Sequence, residues 1–531
     1  VGAEPNAAVG ATFFPHRHKP QAALATRRIQ IYLPRDLPAI AKASGWTRMY
    51  FTSFGFGIFF VATFIIYYLP FCRRYQVEIL IAASLFIYWY EASDFLILLL
   101  FSSLSTAVLS YWLASPMVRS RYWIALVGIV GNLLVLGFFK YKVLFLPAAP
   151  VPAQPDLLYL ILHAGLPIGI SFYTFHGISL IVDTYRDPAL LIGATGRRWR
   201  AHLAKTLLYV SFFPQLVAGP IAKGKFLFPQ IGPKTLKAVE WQTALEYLIR
   251  GYFLKCVLAD NLQQFTAPMG TPSAWSVDSG NHLAAMMLAY SAQIYADFAG
   301  YSLIALGLAK LLGYDLPQNF NNPYLAASFS EFWRRWHMSL SSWLRDYLYI
   351  PLGGNRRGAV RTYVNLFIVM ALGGLWHGAA WKFAAWGVWH GIALMAERAL
   401  SEHLRVLWPQ PDTMLAAILS PLMKALRILL VFCYVTIGWL LFKLDSFADV
   451  IHYLARLIEF PPDLGGVNHV STQIMLVLVT MTALYQIVTE VIPRKELSAV
   501  IRAVKPAVLA AMVVFIVFGS GDSNVFIYFQ F

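Results

Sequence analysis

The stretch GGLWHGAAWKFAAWGVWHG, residues 373–391, is apolar enough to cross a membrane, yet it carries two histidines, His377 and His390. A titratable ring at that depth is costly and marks a functional position by default. The rest of the chain shares the character of this stretch. Of its 531 residues, 58% are hydrophobic and only 13% are charged, against about 25% charged in soluble domains. That balance specifies an all-α, polytopic integral membrane protein rather than a string of soluble domains.

Apolar runs approaching the length of about 17–25 residues needed to span a bilayer recur roughly a dozen times. They lie near 50–70, 77–90, 94–114, 122–147, 157–185, 241–259, 282–312, 362–378, 383–396, 424–443, 471–492 and 506–519. No internal repeat relates them, which gives no support to an inverted-repeat transporter. Cys72, Cys256 and Cys433 are far apart and within or beside spans, so they form no disulfide framework.

The formal charge of +16 does not point to nucleic acid here, because it falls in short loops between spans. The loops at 73–74, 119–121, 186–237, 334–361, 398–405 and 494–505 are basic. The intervening loops near 91–94, 147–156, 260–281 and 463–470 hold no Lys or Arg. The positive-inside rule places the basic set in the cytoplasm, where it also meets lipid headgroups. Residues 1–48 are basic and Pro-interrupted, with no signal-peptide core. They are expected to be a disordered leader, or to precede a true start at Met49, with residues 49–531 forming the transmembrane domain.

Two stretches break the spanning pattern. Residues 207–233, LLYVSFFPQLVAGPIAKGKFLFPQIGP, are apolar but interrupted by four prolines. Broken backbone at membrane depth must be buried in protein or face water, so a re-entrant segment is expected. Residues 328–358, SFSEFWRRWHMSLSSWLRDYLYIPLGGNRRG, open with a capping box at Ser328 and Glu331 and stop at Pro351, Gly353 and Gly354. At about 100° per residue, Phe332, Trp333, Trp336, His337, Leu340, Trp343 and Leu344 share one arc, opposite Arg334, Arg335, Ser339 and Arg345. An amphipathic helix at the cytoplasmic boundary is therefore expected, with His337 on its apolar face.

His337 and His377 thus face apolar surroundings from neighbouring elements, and such surroundings favour the neutral, proton-accepting ring. Beside a hydroxyl acceptor, a neutral imidazole is a general base. Gly373, Gly374 and Gly378 would let backbone or substrate come close. The competing reading is a helix-to-helix hydrogen bond, and His390, His163, His176 and His282 are assigned to that class. Asp183 and Asp297 are either structural or cavity-lining. No metal site is expected, since HExxH, CxxC and carboxylate clusters are absent. There is no GxSxG elbow either. GPIAKGK, residues 219–225, starts like a phosphate loop, but Phe226 follows and Pro220 removes an N–H. It reads as a re-entrant turn whose Lys223 and Lys225 meet headgroups or an anionic donor.

The pair of motifs around His337 and His377 resembles the membrane-bound O-acyltransferase superfamily, and within it the membrane subunits of alginate O-acetylation. The likeness runs from Met49 to the C-terminus and includes LPIGISFYTFHGISLIVDTYR, FFPQLVAGPI, ADFAGYS, NFNNPY and FIYFQF. The chain departs from that pattern after FAGYS, where Leu303 and Ile304 stand in place of an acidic residue. The resemblance implies a membrane-embedded acyltransferase that passes an acetyl group from a cytoplasmic donor, acetyl-CoA, across a bacterial inner membrane. His377 would be the catalytic residue and His337 the second histidine. Trp336, Trp376, Gly353, Gly354 and Asp297 would shape the substrate cavity. The implied partners are a periplasmic or membrane-anchored SGNH-type acetyltransferase and the polysaccharide synthesis and export machinery; the implied product is an O-acetylated exopolysaccharide such as alginate. The rival class is a transporter or flippase that makes no bond.

Overall fold

A computed structural model describes residues 49–146, 156–196, 198–275, 278–406, 414–462, 467–491 and 498–522. The expected leader lies outside them. Among the described residues there is no β-strand, and the apolar runs fold as helices in the expected order, except that the run expected at 157–185 is split into Leu157–His163 and Ile170–Arg186, with Gly169 in a left-handed conformation at the break. The longer ones are α1 (Phe54–Tyr68), α2 (Gln76–Ala92), α3 (Leu96–Leu113), α4 (Arg121–Tyr141), α5 (Ile170–Arg186), α6 (Trp199–Ser211), α7 (Trp241–Tyr252) and α8 (Gly280–Leu311). They are followed by α9 (Phe329–Arg335), α10 (Met338–Leu344), α11 (Ala359–His377), α12 (Trp381–Val406), α13 (Met414–Lys443), α14 (Phe447–Glu459), α15 (Val467–Val491) and α16 (Ser498–Gly519). Among the described residues, six helical stretches are both long and apolar enough to cross a membrane, one of them the bent pair α2–α3; α1 and the described part of α16 are apolar but shorter.

Burial sorts these helices. The apolar window of α8 is 89% buried, against 17% for α4, so α8 is the axis around which the others pack. The outer helices expose large apolar side chains such as Phe54, Ile97, Leu134, Leu430, Val477 and Phe518. In water this would be an aggregation surface; in hydrocarbon it is the solvated one.

The segment 207–233 is re-entrant in the expected sense. After α6 the chain turns repeatedly at Pro214, Gly219 and Pro220, while Phe212, Phe213, Leu216, Ala218, Ile221 and Phe228 are almost wholly buried. Its carbonyl at Ala222 accepts from the Tyr209 hydroxyl at 2.9 Å, and its Ile221 N–H donates to Ser339 Oγ at 3.0 Å. Only glycine fits at 219, because a Cβ there would lie 2.5 Å from the Pro214 carbonyl oxygen. Lys223 is held by Asp346 at 2.7 Å and by the Ser342 carbonyl. The turn is a structural lock in which no phosphate cradle forms.

The amphipathic segment corrects the sequence reading. The N-cap forms, with Ser328 Oγ accepting from Glu331 N–H at 3.1 Å while the Glu331 carboxylate accepts from the Ala327 N–H at 2.8 Å, but the helix does not continue to Pro351. It ends at Arg335, and His337 adopts a left-handed conformation with φ of 42° before α10 begins. A non-glycine residue there is strained by about 1–3 kcal/mol and persists only where its surroundings dictate it. They do so through Asn319, which precedes the segment. Its backbone carbonyl accepts from Met338 N–H at 2.9 Å. Its side-chain oxygen takes Ser339 Oγ–H at 2.9 Å and sits 3.0 Å from His337 Nδ1. Ser339, expected on the polar arc, is consequently buried.

Candidate active site

The hairpin α11–α12 brings His377 to its position. The two helices cross at Gly374 and Gly387, where an added Cβ would lie 2.2 Å from the Phe383 carbonyl oxygen or 2.3 Å from that of Met370. Small residues at such crossings let backbones touch, which is how helices associate tightly in lipid. The glycines around His377 therefore admit protein rather than substrate: the space at Gly378 is filled by the Phe383 ring, and that at Gly373 is bounded by Leu344.

α11 starts within the basic stretch at 356–361 and ends at His377. At 1.5 Å per residue, its 19 residues put His377 about 27 Å from its first residue, on the basic side. The C-terminal carbonyls of a helix have no partner within it. Here two adjacent side chains at the end of α4 supply one: Lys140 Nζ donates to the Trp376 carbonyl, and Tyr141 Oη donates to the Leu375 carbonyl at 2.8 Å. Lys140 is buried at 6% exposure, and its ammonium lies 5.5 Å from the centre of the Trp376 ring. A cation at a helix C-terminus also suits the helix dipole.

A cavity of about 230 Å³ opens in front of this helix end. Its wall includes Glu91, Lys140, Ser171, Trp376 and His377. It adjoins segments without Lys or Arg near 91–94 and 164–169, at the end of the molecule opposite the basic loops. His377 is partly accessible there, flanked by Trp386 at 5.1 Å and Phe442 at 5.4 Å between ring centres.

His337 lies behind the wall rather than on it, 1% exposed, with Phe298 edge-on at 4.7 Å and Trp376 at 6.0 Å. Phe298 is thirteen residues from the end of α8, so His337 sits about 20 Å into the molecule from that end. Trp376 thus separates the two histidines and touches both. From the basic side, Trp343 stacks on Phe175 at 3.7 Å and Phe175 on Trp376 at 5.4 Å. A column of rings therefore runs from the neighbourhood of Asp346 to the histidines.

The other expected site residues lie elsewhere. Trp336 packs among Phe320, Phe332 and Trp439. Gly353 and Gly354 make a turn with positive φ, and the Gly354 carbonyl accepts from Asn365 at 2.8 Å. Asp297 is ion-paired with Lys255 at 2.8 Å, and Lys255 also holds Asp260 at 2.7 Å. None of the four lines the cavity at His377. Asp183 accepts from Tyr347 Oη at 2.7 Å and from the Lys225 N–H at 2.9 Å, tying α5 to the basic face. His390 is buried against Phe332, Trp333 and Trp386 and makes no side-chain hydrogen bond among the described residues, so it packs between helices instead of forming the expected hydrogen bond. No cluster of potential metal ligands occurs among the described residues. Sequence reasoning passed over Lys140, Glu91 and Asn319. For Lys140 there was a signal: a lone lysine inside the apolar run 122–147.

The structure is thus a helical bundle with His377 on the wall of a small cavity and His337 one ring behind it. Residues 83–437 match the model of the MBOAT, membrane-bound O-acyltransferase, family, and the chain belongs to that family of multi-pass membrane acyltransferases. It is 38% identical over 414 residues to the protein of Pseudomonas aeruginosa named "Probable alginate O-acetylase AlgI", covering 75% of this chain and 72% of that one. The protein of the same name from Azotobacter vinelandii is 36% identical over 450 residues, 81% and 83% of the two chains. The peptidoglycan O-acetyltransferase of Helicobacter pylori is 35% identical over 420 residues, 74% of each. An acyltransferase makes and breaks bonds, so the transporter reading is set aside.

Proposed function

We propose that the chain transfers an acetyl group from acetyl-CoA on the cytoplasmic side of a bacterial inner membrane to a hydroxyl acceptor on the opposite side, for O-acetylation of an exported polysaccharide. The observation that carries this reading is the position of His377, on the wall of a cavity at the end of α11 far from the basic loops. The positive-inside rule makes that end the outer one. A cavity of about 230 Å³ is below the 300–1,000 Å³ typical of drug-sized ligands. It suits an acetyl group and one hydroxyl-bearing chain, and leaves the nucleotide of the donor outside on the basic face.

In this reading His377 is the general base. As the acceptor oxygen attacks the thioester carbonyl carbon, its proton passes to the imidazole, a C–O bond forms and the C–S bond breaks. The proton then leaves with the thiolate as a thiol. His337 positions the site from behind Trp376. The acceptor is the serine of an SGNH-type partner, or the polymer itself; the relatives named for alginate and for peptidoglycan O-acetylation support a polysaccharide destination.

The test is reconstitution. Vesicles holding the purified chain with its basic loops inward, loaded with acetyl-labelled CoA thioester, should pass label to an external SGNH acceptor or acetyl-free polymer. Label appearing only when acceptor and donor share one side would overturn transfer across the membrane. No transfer with any thioester donor would overturn the donor assignment.

A further inference from the structure

A second and larger cavity, about 550 Å³, lies between α7, α15 and α16. Its walls are apolar, with Leu484, Val508, Met512 and Phe515 prominent, and one end is charged, with Glu246, Arg250 and Lys505. The acyl-transfer site makes no use of it. The charged end has a fixed level in the membrane. Glu246 and Arg250 lie in the first three turns of α7, which follows the basic loop 186–237, and Lys505 lies in the second turn of α16, at the end of the basic stretch 494–505. From Lys505 to Phe515 the crevice runs ten residues, about 15 Å along α16. That is half of a hydrocarbon core of about 30 Å, the depth of a single leaflet.

Among the described residues the charges do not cancel. Glu246 pairs with Lys505 at 2.5 Å and with Arg250 at 3.5 Å, one carboxylate against two cations. Lys505 has three N–H donors and Arg250 five. The bonds to Glu246 and from Arg250 Nε to Tyr485 at 2.9 Å use few of them. An excess cation with spare donors at the interface, above an apolar slot as long as one acyl chain, matches a single kind of molecule. We propose that this crevice binds an anionic glycerophospholipid of the leaflet on the basic-loop side. Its phosphate rests on Lys505 and Arg250, and one acyl chain lies between α15 and α16. Without such a chain, the walls would lose their dispersion contacts over the whole void.

The site is also placed to act on the rest of the molecule. α15, whose Tyr485 and Thr489 line the crevice, holds the segment that leads into the His337 turn. Gln486 accepts from Tyr324 N–H at 3.1 Å, Thr489 donates to Asn322 at 2.8 Å, and Glu490 pairs with Arg335 at 2.9 Å. A lipid seated between α15 and α16 fixes the helix that fixes that turn.

The test reads binding directly. The full chain is exchanged into vesicles of phosphatidylcholine and phosphatidylglycerol at 3:1, extracted gently, and weighed intact by native mass spectrometry with its retained lipids. Phosphatidylglycerol should be enriched over the bulk ratio. Lys505→Gln should lower that enrichment about fivefold, the effect of one basic residue near a membrane surface. Val508→Trp, which fills the apolar slot, should lower retention of both lipids. Retained lipid that mirrors the bulk ratio in the unaltered chain overturns the site, as does enrichment indifferent to Lys505→Gln. Enrichment untouched by Val508→Trp places the headgroup on the open surface and overturns the crevice.

Discussion

His337 and His377 each follow a tryptophan, and the local sequence treats them as equals. The fold does not. His377 ends a 19-residue helix and looks into a cavity. His337 interrupts a helix, is 1% exposed, and lies 3.0 Å through Nδ1 from Asn319 in a left-handed backbone conformation. One ring therefore has access to a cavity and the other is constrained by its neighbours, and the proposed roles of base and support rest on that difference. A third pair, Trp389–His390, has neither: His390 is fully buried among aromatic rings with no hydrogen bond from its side chain among the described residues.

The strongest way to break this contrast is to remove each ring in turn. His377→Ala should cut acyl transfer by about 10²–10⁴-fold, the usual worth of general base catalysis, with membrane insertion unchanged. His337→Ala should leave residual activity about tenfold or more above that of His377→Ala. Measured side by side on acetylated acceptor, the reverse order would exchange the two roles. A His377→Ala chain that fails to accumulate would reduce that ring to a structural one.

Lys140 sharpens the comparison, because it supports His377 as Asn319 supports His337. Lys140→Met should lower kcat by about 10²-fold, the cost of a misplacement near 1 Å, and leave KM for the donor unchanged. Lys140→Arg, which keeps the donor and the charge, should recover part of the loss. Equal loss in both variants would make Lys140 a packing residue.

The smallest effect concerns the anchor of the segment that carries His337. Burial raises the pKa of Asp346, but hydrogen bonds and charge from Arg345 and Lys223 outweigh it and hold the carboxyl below its ordinary value of 3.8. A group depressed in this way stabilises the folded chain above its unfolded pKa, and that contribution is lost as pH falls through the folded value. Asp346→Asn should therefore cost about 1 kcal/mol at pH 7, and the deficit against the unaltered chain should shrink below pH 4. Thermal unfolding in detergent at pH 7 and pH 3.5 reads this; a deficit equal at both would separate the stabilisation from the charge.

Much of this was legible in the sequence. Composition pointed to the class, the prolines of 207–233 announced buried, broken backbone, and the two histidine motifs marked the neighbourhood of the cavity at Trp376 and His377. The break at His337 was not legible, because apolar residues keep helical spacing straight through it. What ends the helix is a carboxamide eighteen residues upstream, and periodicity within one window cannot register a partner outside it. Lys140 was hidden for the same reason: its partner, the Trp376 carbonyl, is 236 residues away, and in a hydropathy count one lysine only dilutes a span. The glycines near His377 carried a true signal of close approach, but sequence could not say whether backbone or substrate would do the approaching.

That same separation has a consequence for how the protein is made. At about 5–20 residues per second, a ribosome takes roughly 10–50 s to travel from Lys140 to Trp376. Throughout that interval the lysine is already synthesised and its carbonyl partner does not yet exist. Near the end of α4 its long side chain can reach out to interfacial water until α11 arrives. The cavity at His377 has no second wall before then, so a nascent chain lacks that cavity until its second half has inserted.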